Sequence, residues 1–221
     1  MYDAVIFDND GVLVSRTPYD ALHEATWAAF EAAGIPSPDP SVVESMVVDV
    51  TPSEVTDFCE RHDVDPDTFW ETRDRLSSQR QRVEARAGRK TPYEDVSALD
   101  RLSIPLGIVS SNQQATVDFL LEYFSLESYF AVALGRQPTL DSLDQQKPDP
   151  YYLDRAVDVL GVESVLFVGD NDSDLKAAEN AGVDSAFIRR PHRRGHNPSP
   201  TPTHVVEDLH DVVGLCRSAT V

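Results

Sequence analysis

Four groups of polar residues in this chain could do chemistry together. Asp8 and Asp10 stand two apart, with Gly11 directly after them. Ser110, Ser111 and Asn112 form a second group, Lys147 a third, and Asp170 with Asp174 a fourth. Acids brought together in this number cannot stay unpaired, so the set implies a bound cation. Hard carboxylate oxygens select Mg²⁺, which keeps several waters and also contacts phosphate. Phosphoryl transfer needs an in-line nucleophile, positive charge on the equatorial oxygens and a proton for the leaving oxygen. Carboxylates, a hydroxyl, an amide and a lysine can supply all three.

Each group must be placed by the element before it. The apolar, β-branched run at 4–7 reads as a buried parallel strand that ends abruptly at Asp8. Ligands of open α/β sheets bind just outside the carboxyl ends of the strands, and Gly11 lets the backbone turn there. Further strands are expected at 104–109, 130–134, 165–168, 183–188 and 204–206. They alternate with helices at 96–102, 113–124, 151–160, 172–181 and 207–216. Ser111 or Asn112 is expected to cap the second of these helices. Gly135 should close the 130–134 strand, and 136–146 reads as a polar loop.

Between the first two strands the pattern is helical only. Tyr19 to Ala33 stops at Gly34, a suitable C-terminal cap, and a short helix follows near 42–47. Thr51-Pro52-Ser53-Glu54 is a capping box that should turn Val55, Phe58 and Cys59 inward. Asp65-Pro66 opens a last helix that runs to about Arg86. Strand–helix alternation argues a parallel sheet with helices on both faces. The expected class is therefore α/β, with a core from 1–15 and 90–221 and an all-helical insertion at 16–89. The breaks at 15–18 and 87–92 would serve as hinges.

Composition narrows the function. Thirty-eight acidic residues stand against 19 basic ones, a net charge of -19, and only Lys90, Lys147 and Lys176 are lysines. Nucleic acid and anionic membranes are poor partners for such a surface. An acidic surface stripped of lysine points to salt adaptation of the haloarchaeal type. At molar salt the Debye length is only ~3 Å, which screens the self-repulsion. No run approaches a membrane span, and no secretory signal is evident. Cys59 and Cys216 are isolated thiols, suited to a reducing cytoplasm.

In order and spacing, the four groups resemble the four motifs of the haloacid dehalogenase-like superfamily, residue by residue. Asp8-x-Asp10-Gly11 is similar to motif I and Ile108-Val109-Ser110 to motif II. Lys147-Pro148 is similar to motif III, and Gly169-Asp170-x-x-x-Asp174 to motif IV. The resemblance implies a Rossmann-like three-layer core with a helical C1-type cap, in the branch of phosphoglycolate phosphatases and β-phosphoglucomutases. It implies that Asp8 is the nucleophile, forming an aspartyl-phosphate, and that Asp10 handles the leaving-group proton. Lys147 and Ser110 would steady the phosphoryl oxygens, with Gly11, Ser111 and Asn112 beside the substrate. Mg²⁺ would be held by the Asp8 carboxylate, the Asp10 carbonyl and Asp170, with Asp174 an outer ligand or an orienting group.

The implied activity is Mg²⁺-dependent hydrolysis of a small phosphomonoester, of the phosphoglycolate or sugar phosphate type. The partner is a small phosphorylated metabolite, and the chain is a monomer or weak homodimer. Three other readings stay open. A sugar phosphomutase carries the same motifs. A 2-haloacid dehalogenase does not normally need the second acid, Asp10. A phospho-ligand-binding protein would use the same scaffold without turnover. Arg16, Tyr19 and His23 are candidates to touch the leaving group, whereas Arg73, Arg75, Arg80 and Arg82 read as surface ion pairs. A basic stretch, Arg189 to His196, should emerge on the active-site face and could attract a polyanion.

Overall fold

The computed structural model describes residues 1–217. Six parallel strands form one sheet: β1 (Ala4–Phe7), β2 (Leu106–Gln113), β3 (Val132–Arg136), β4 (Val165–Gly169), β5 (Asp184–Ile188) and β6 (His204–Val206). Their spatial order is β3-β2-β1-β4-β5-β6, with β1 in the middle. This is an α/β, Rossmann-like arrangement, and it is parallel because every connection is long enough to cross a face of the sheet. β1 is buried at all four positions, as a strand covered on both faces must be.

Two apolar layers cover the sheet. One face packs Val5, Phe7, Leu106, Ile108, Leu166 and Val168 with residues of α5 (Gln114–Phe124) and α9 (Leu209–Arg217). The other packs Ala4, Ile6, Val109 and Phe167 with α7 (Tyr151–Leu160) and α8 (Asp172–Ala181). Alternate residues of β1 thus feed opposite layers, the period of two that a strand dictates. The stretch 94–101 is a 3₁₀-helix rather than the α-helix its apolar spacing predicts.

Between β1 and β2 the chain forms α1 (Tyr19–Ala32), α2 (Pro40–Ser45), α3 (Pro52–His62) and α4 (Pro66–Arg86). Their apolar cluster, built on Phe30, Met46, Phe58, Phe69 and Trp70, also takes in Leu143 from the segment after β3. Phe30 lies edge-on to Phe58 and Phe69, with ring centroids 4.9 and 5.2 Å away. The capping box at Thr51 and Glu54 is present, and Val55, Phe58 and Cys59 are buried. Asp65 caps α4 by accepting from the Thr68 N–H.

Four expectations are corrected. β2 does not end at Val109 but runs to Gln113, because after a register shift its end pairs again with Arg136. Neither Ser111 nor Asn112 is therefore the cap of α5, a position that Gln113 holds. β3 continues through Gly135 to Arg136, and a Cβ at 135 would come 2.8 Å from the Gln114 Cα. The loop after it includes a short helix, α6 (Asp141–Asp144). Among the described residues, no helix is long and apolar enough to cross a membrane.

Candidate active site

Register brings the chemistry together. Phe7 pairs with Ile108 on one side and Val168 on the other, so Asp8 and Asp170, just past the ends of β1 and β4, come side by side with Ser110 in the last half of β2. Gly11 has φ +89°, and a Cβ there would meet the Asp170 carboxylate at 2.8 Å, so only glycine permits this close approach. Lys147 arrives from the segment before α7. The residues line a cleft of about 250 Å³, whose wall includes Asp8, Asp10, Ser110, Lys147, Asp170 and Asp174. Ser111 and Asn112 line it as well.

Lys147 Nζ lies 2.7 Å from Asp8 Oδ1 and 2.6 Å from Asp174 Oδ1. Asp8, Asp170 and Asp174 are buried, and each offers a carboxylate oxygen within 4.8 Å of the others. Asp10 stands outside this trio of carboxylates. Burial pushes the Asp8 carboxyl up to about 7. Lys147 opposes that rise, and the charges of Asp174 and Asp170 add to it. Lys147 is held well above the ordinary lysine range: its burial works against the charge, but Asp174 and Asp8 outweigh it. Arg193 and His192 meet Asp170, which leaves Asp8 and Asp174 sharing the single charge of Lys147. The donor set of hard oxygens fits Mg²⁺.

Asp174 is also fixed from below, its Oδ2 accepting from the N–H groups of Asp170 and Asn171 at 3.1 and 3.0 Å. The Ser110 hydroxyl accepts from the Asn112 N–H at 3.1 Å. The Asn112 amide donates to Asp10 Oδ2 at 3.0 Å.

One residue to which sequence reasoning gave no role also reaches the site. Lys90 is fully buried and its ammonium meets Asp10 Oδ1. Burial pulls Lys90 down to about 7, and the charge of Asp8 works against that. The scarcity of lysine was the available signal. His192 and Arg193 both reach Asp170 Oδ2, at 2.6 and 3.1 Å. Burial would raise the Asp170 carboxyl, but these two groups hold it below the usual carboxylate range. Of the basic stretch, Arg193 lines the cleft and is engaged by Asp170, while His196 is engaged by Asp172. Arg190 is buried, pairing with Asp95 and donating to the Val12 carbonyl.

Of the proposed leaving-group contacts, Arg16 lines the cleft, while Tyr19 is exposed and its ring lies 6.5 Å from that of His23. Arg80 forms the expected ion pairs, with Glu24 and Glu84. Arg73 corrects the surface reading. It is buried, because the carbonyls of Met46 and Val47 and the carboxylate of Asp74 receive its guanidinium. Arg82 donates to the Ala115 carbonyl instead of to an acid.

A phosphoglycolate phosphatase from Neisseria gonorrhoeae is 34% identical over 202 residues, covering 84% of this chain and 79% of that protein. Pyrophosphatase PpaX from Bacillus cereus is 34% identical over 101 residues. That match covers 45% of each, so the chain spans about half the length of this relative. Among solved structures, CbbY from Rhodobacter sphaeroides, in complex with phosphate, superposes with a TM-score of 0.70 at 19% identity, covering 96% of both chains. A haloacid dehalogenase-superfamily hydrolase of subfamily IA from Geobacter sulfurreducens gives 0.64 at 23% identity, covering 97% of this chain and 100% of its own. These two likenesses concern the fold. The family model of the haloacid dehalogenase-like hydrolases matches residues 5–188, and the chain belongs to that family.

Proposed function

We propose that this protein is a Mg²⁺-dependent phosphatase that hydrolyses a small phosphomonoester through an aspartyl-phosphate. The observation that carries the reading is the pairing of a buried, lysine-held Asp8 with a second carboxylate, Asp10, at the mouth of one strand. A cleft of about 250 Å³ suits a small ester. The names of the relatives, a phosphoglycolate phosphatase and a pyrophosphatase, favour phosphate chemistry over carbon–halogen chemistry.

In the first step a carboxylate oxygen of Asp8 bonds to phosphorus as the bond to the leaving oxygen breaks. Asp10 gives that oxygen its proton. In the second step water attacks phosphorus, Asp10 takes the proton, and Asp8 and inorganic phosphate are released. Lys147 and the Ser110 hydroxyl hold phosphoryl oxygens in line, while Gly11, Ser111 and Asn112 border the transferred group. Asp8, Asp170 and the Asp10 carbonyl would hold Mg²⁺, with Asp174 orienting the set through Lys147 and the 170–171 backbone. When bound, the cation supplies the charge that offsets the phosphoryl oxygens. The block of α1–α4 would act as the cap, excluding water until the leaving group has gone.

Release of inorganic phosphate from a panel of small phosphomonoesters, in molar salt with Mg²⁺, tests this. Asp8→Asn should lower turnover by at least about 10⁴-fold, and chelation should stop it. No release from any ester would sink the phosphatase, and product formation only with a sugar bisphosphate primer would make it a mutase. We also propose a salt-adapted, cytoplasmic protein, monomeric or a weak homodimer, whose partner is the phosphorylated metabolite alone. Its Tm should fall as salt is withdrawn.

A further inference from the structure

Asp10 is held at both oxygens: Oδ2 accepts from Asn9 Nδ2, within motif I, at 3.2 Å, and the other groups that hold it lie outside the four motifs. Lys90, with no exposed surface, sets its Nζ against Asp10 Oδ1 and also donates to Thr17 Oγ1 at 3.0 Å. The Thr17 hydroxyl donates to Gln81 Oε1 at 2.9 Å, and Gln81 Nε2 donates to Asn112 Oδ1 at 2.9 Å. Asn112 closes the circuit by donating to Asp10 Oδ2 at 3.0 Å. Each donor in this ring has an acceptor, and each amide is used at both ends. The five side chains come from different places: the turn after β1, the two linkers that flank the helical block, α4, and the end of β2.

We propose that Lys90 is a positioning residue for the leaving-group proton, clamping the Asp10 carboxylate in the rotation that faces the scissile oxygen, with Thr17 and Gln81 fixing Lys90 in turn. The proposal rests on the reading of Asp10 as the proton donor. Three observations support it. An ammonium with no exposed surface is costly unless a carboxylate pairs with it, so Lys90 at this place is committed to Asp10. The Asp10 side chain is itself part-exposed, at 24% of its surface, and faces the cleft, so folding alone does not require a buried cation to neutralise it. A short carboxylate attached to a turn rotates freely unless both oxygens are bound, and misplacing a reacting group by about 1 Å can cost roughly 10²-fold in rate.

The test separates positioning of the proton donor from general damage by varying the leaving group. An alkyl phosphate needs its departing oxygen protonated, whereas p-nitrophenyl phosphate leaves readily as the phenolate. The quantity to measure is the ratio of kcat/KM for an alkyl phosphate, such as glycerol phosphate, to that for p-nitrophenyl phosphate. This constant reports only steps up to the first phosphoryl transfer. In Lys90→Met the ratio should fall by about 10–100-fold, in the direction of Asp10→Asn. Thr17→Val, which keeps volume and removes one link of the ring, should lower it several-fold, and it carries the test if Lys90→Met does not fold. A ratio that stays the same or rises in the folded variants, while Asp10→Asn lowers it, overturns the role of Lys90 and leaves Asp10 as the acid. If Asp10→Asn does not lower the ratio either, the reading of Asp10 is what fails.

Discussion

The cleft wall contains two buried clusters of charge, built in opposite ways. At the strand ends, Asp8 and Asp174 share Lys147, and Asp170 lies within 4.8 Å of both. Further up the wall, Arg73 and Arg136 share the one carboxylate of Asp74, at 3.2 and 2.7 Å. Both guanidiniums lie over the Trp70 ring, 4.9 and 5.2 Å from its centroid. The second cluster solves its excess charge with dipoles. Arg73 donates to the carbonyls of Met46 and Val47, and Arg136 to the Gln137 carbonyl and the Ser142 hydroxyl. Among the described residues no such set of dipoles surrounds Asp8, whose carboxyl is pushed up to about 7 by burial. Excess charge that the backbone absorbs fastens the fold. Excess charge that it leaves standing marks where a ligand belongs.

Breaking the basic cluster should have the largest effect on stability. Asp74 comes from α4 and Arg136 from β3, so their bond fastens the helical block to the sheet. Asp74→Leu would leave two buried guanidiniums without their anion, a change that typically costs about 3–5 kcal/mol. For a chain of this size that corresponds to a Tm lower by roughly 6–20 °C. Replacing Arg73 and Arg136 by methionine in the same protein should recover part of the loss, since no unpaired charge is then buried, although the carbonyls of Met46 and Val47 lose their donors. A single variant that melts with the wild type would mean that Asp74 fastens nothing.

The acid cluster should behave in the reverse sense, gaining stability from a cation. A ligand that binds only the folded state stabilises it by about 2.7 kcal/mol at a hundredfold excess over Kd. Adding Mg²⁺ should therefore raise the Tm, and a chelator should reverse the rise. Asp170→Asn should abolish the response, because one of the three converging carboxylates is lost. An equal rise in that variant would place the cation elsewhere on this acidic surface. The basic cluster predicts no such response of its own, which sharpens the contrast.

How much of this was legible beforehand follows from distance along the chain. The apolar run before Asp8, buried at every position, is local, and so the fold class and the acids at the strand ends could be read directly. Lys90 and Asp10 are 80 positions apart, and Asp170 and Arg193 are 23 apart. Nothing in local spacing says that they meet. Arg73 was misread for a related reason: its burial depends on carbonyls 26 and 27 residues earlier, which composition cannot show. The end of β2 was missed because Gln113 is polar, and only the returning pair with Arg136 keeps it in the strand.

The smallest effect should come from a pair that resembles the basic cluster but opens to solvent. Glu84, near the end of α4, is buried, while its partner Arg89 has 55% of its side chain exposed at 2.5 Å. The hydrogen bond from Arg89 holds the Glu84 carboxyl below its ordinary range; burial works the other way, and the charges of Arg89 and Arg80 add to the lowering. A depressed carboxyl contributes stability that is present above the unfolded-state value, near 4.5 for glutamate, and is lost as pH falls through the folded value. Glu84→Gln should therefore melt a few degrees below the wild type at pH 7, and the gap should close below about pH 4. Water screens Arg89, so the gap should stay well under that of Asp74→Leu. A gap that persisted unchanged into acid would show that Glu84 acts through packing and not through its charge, and the distinction between enclosed and open pairs would then lose its electrostatic basis.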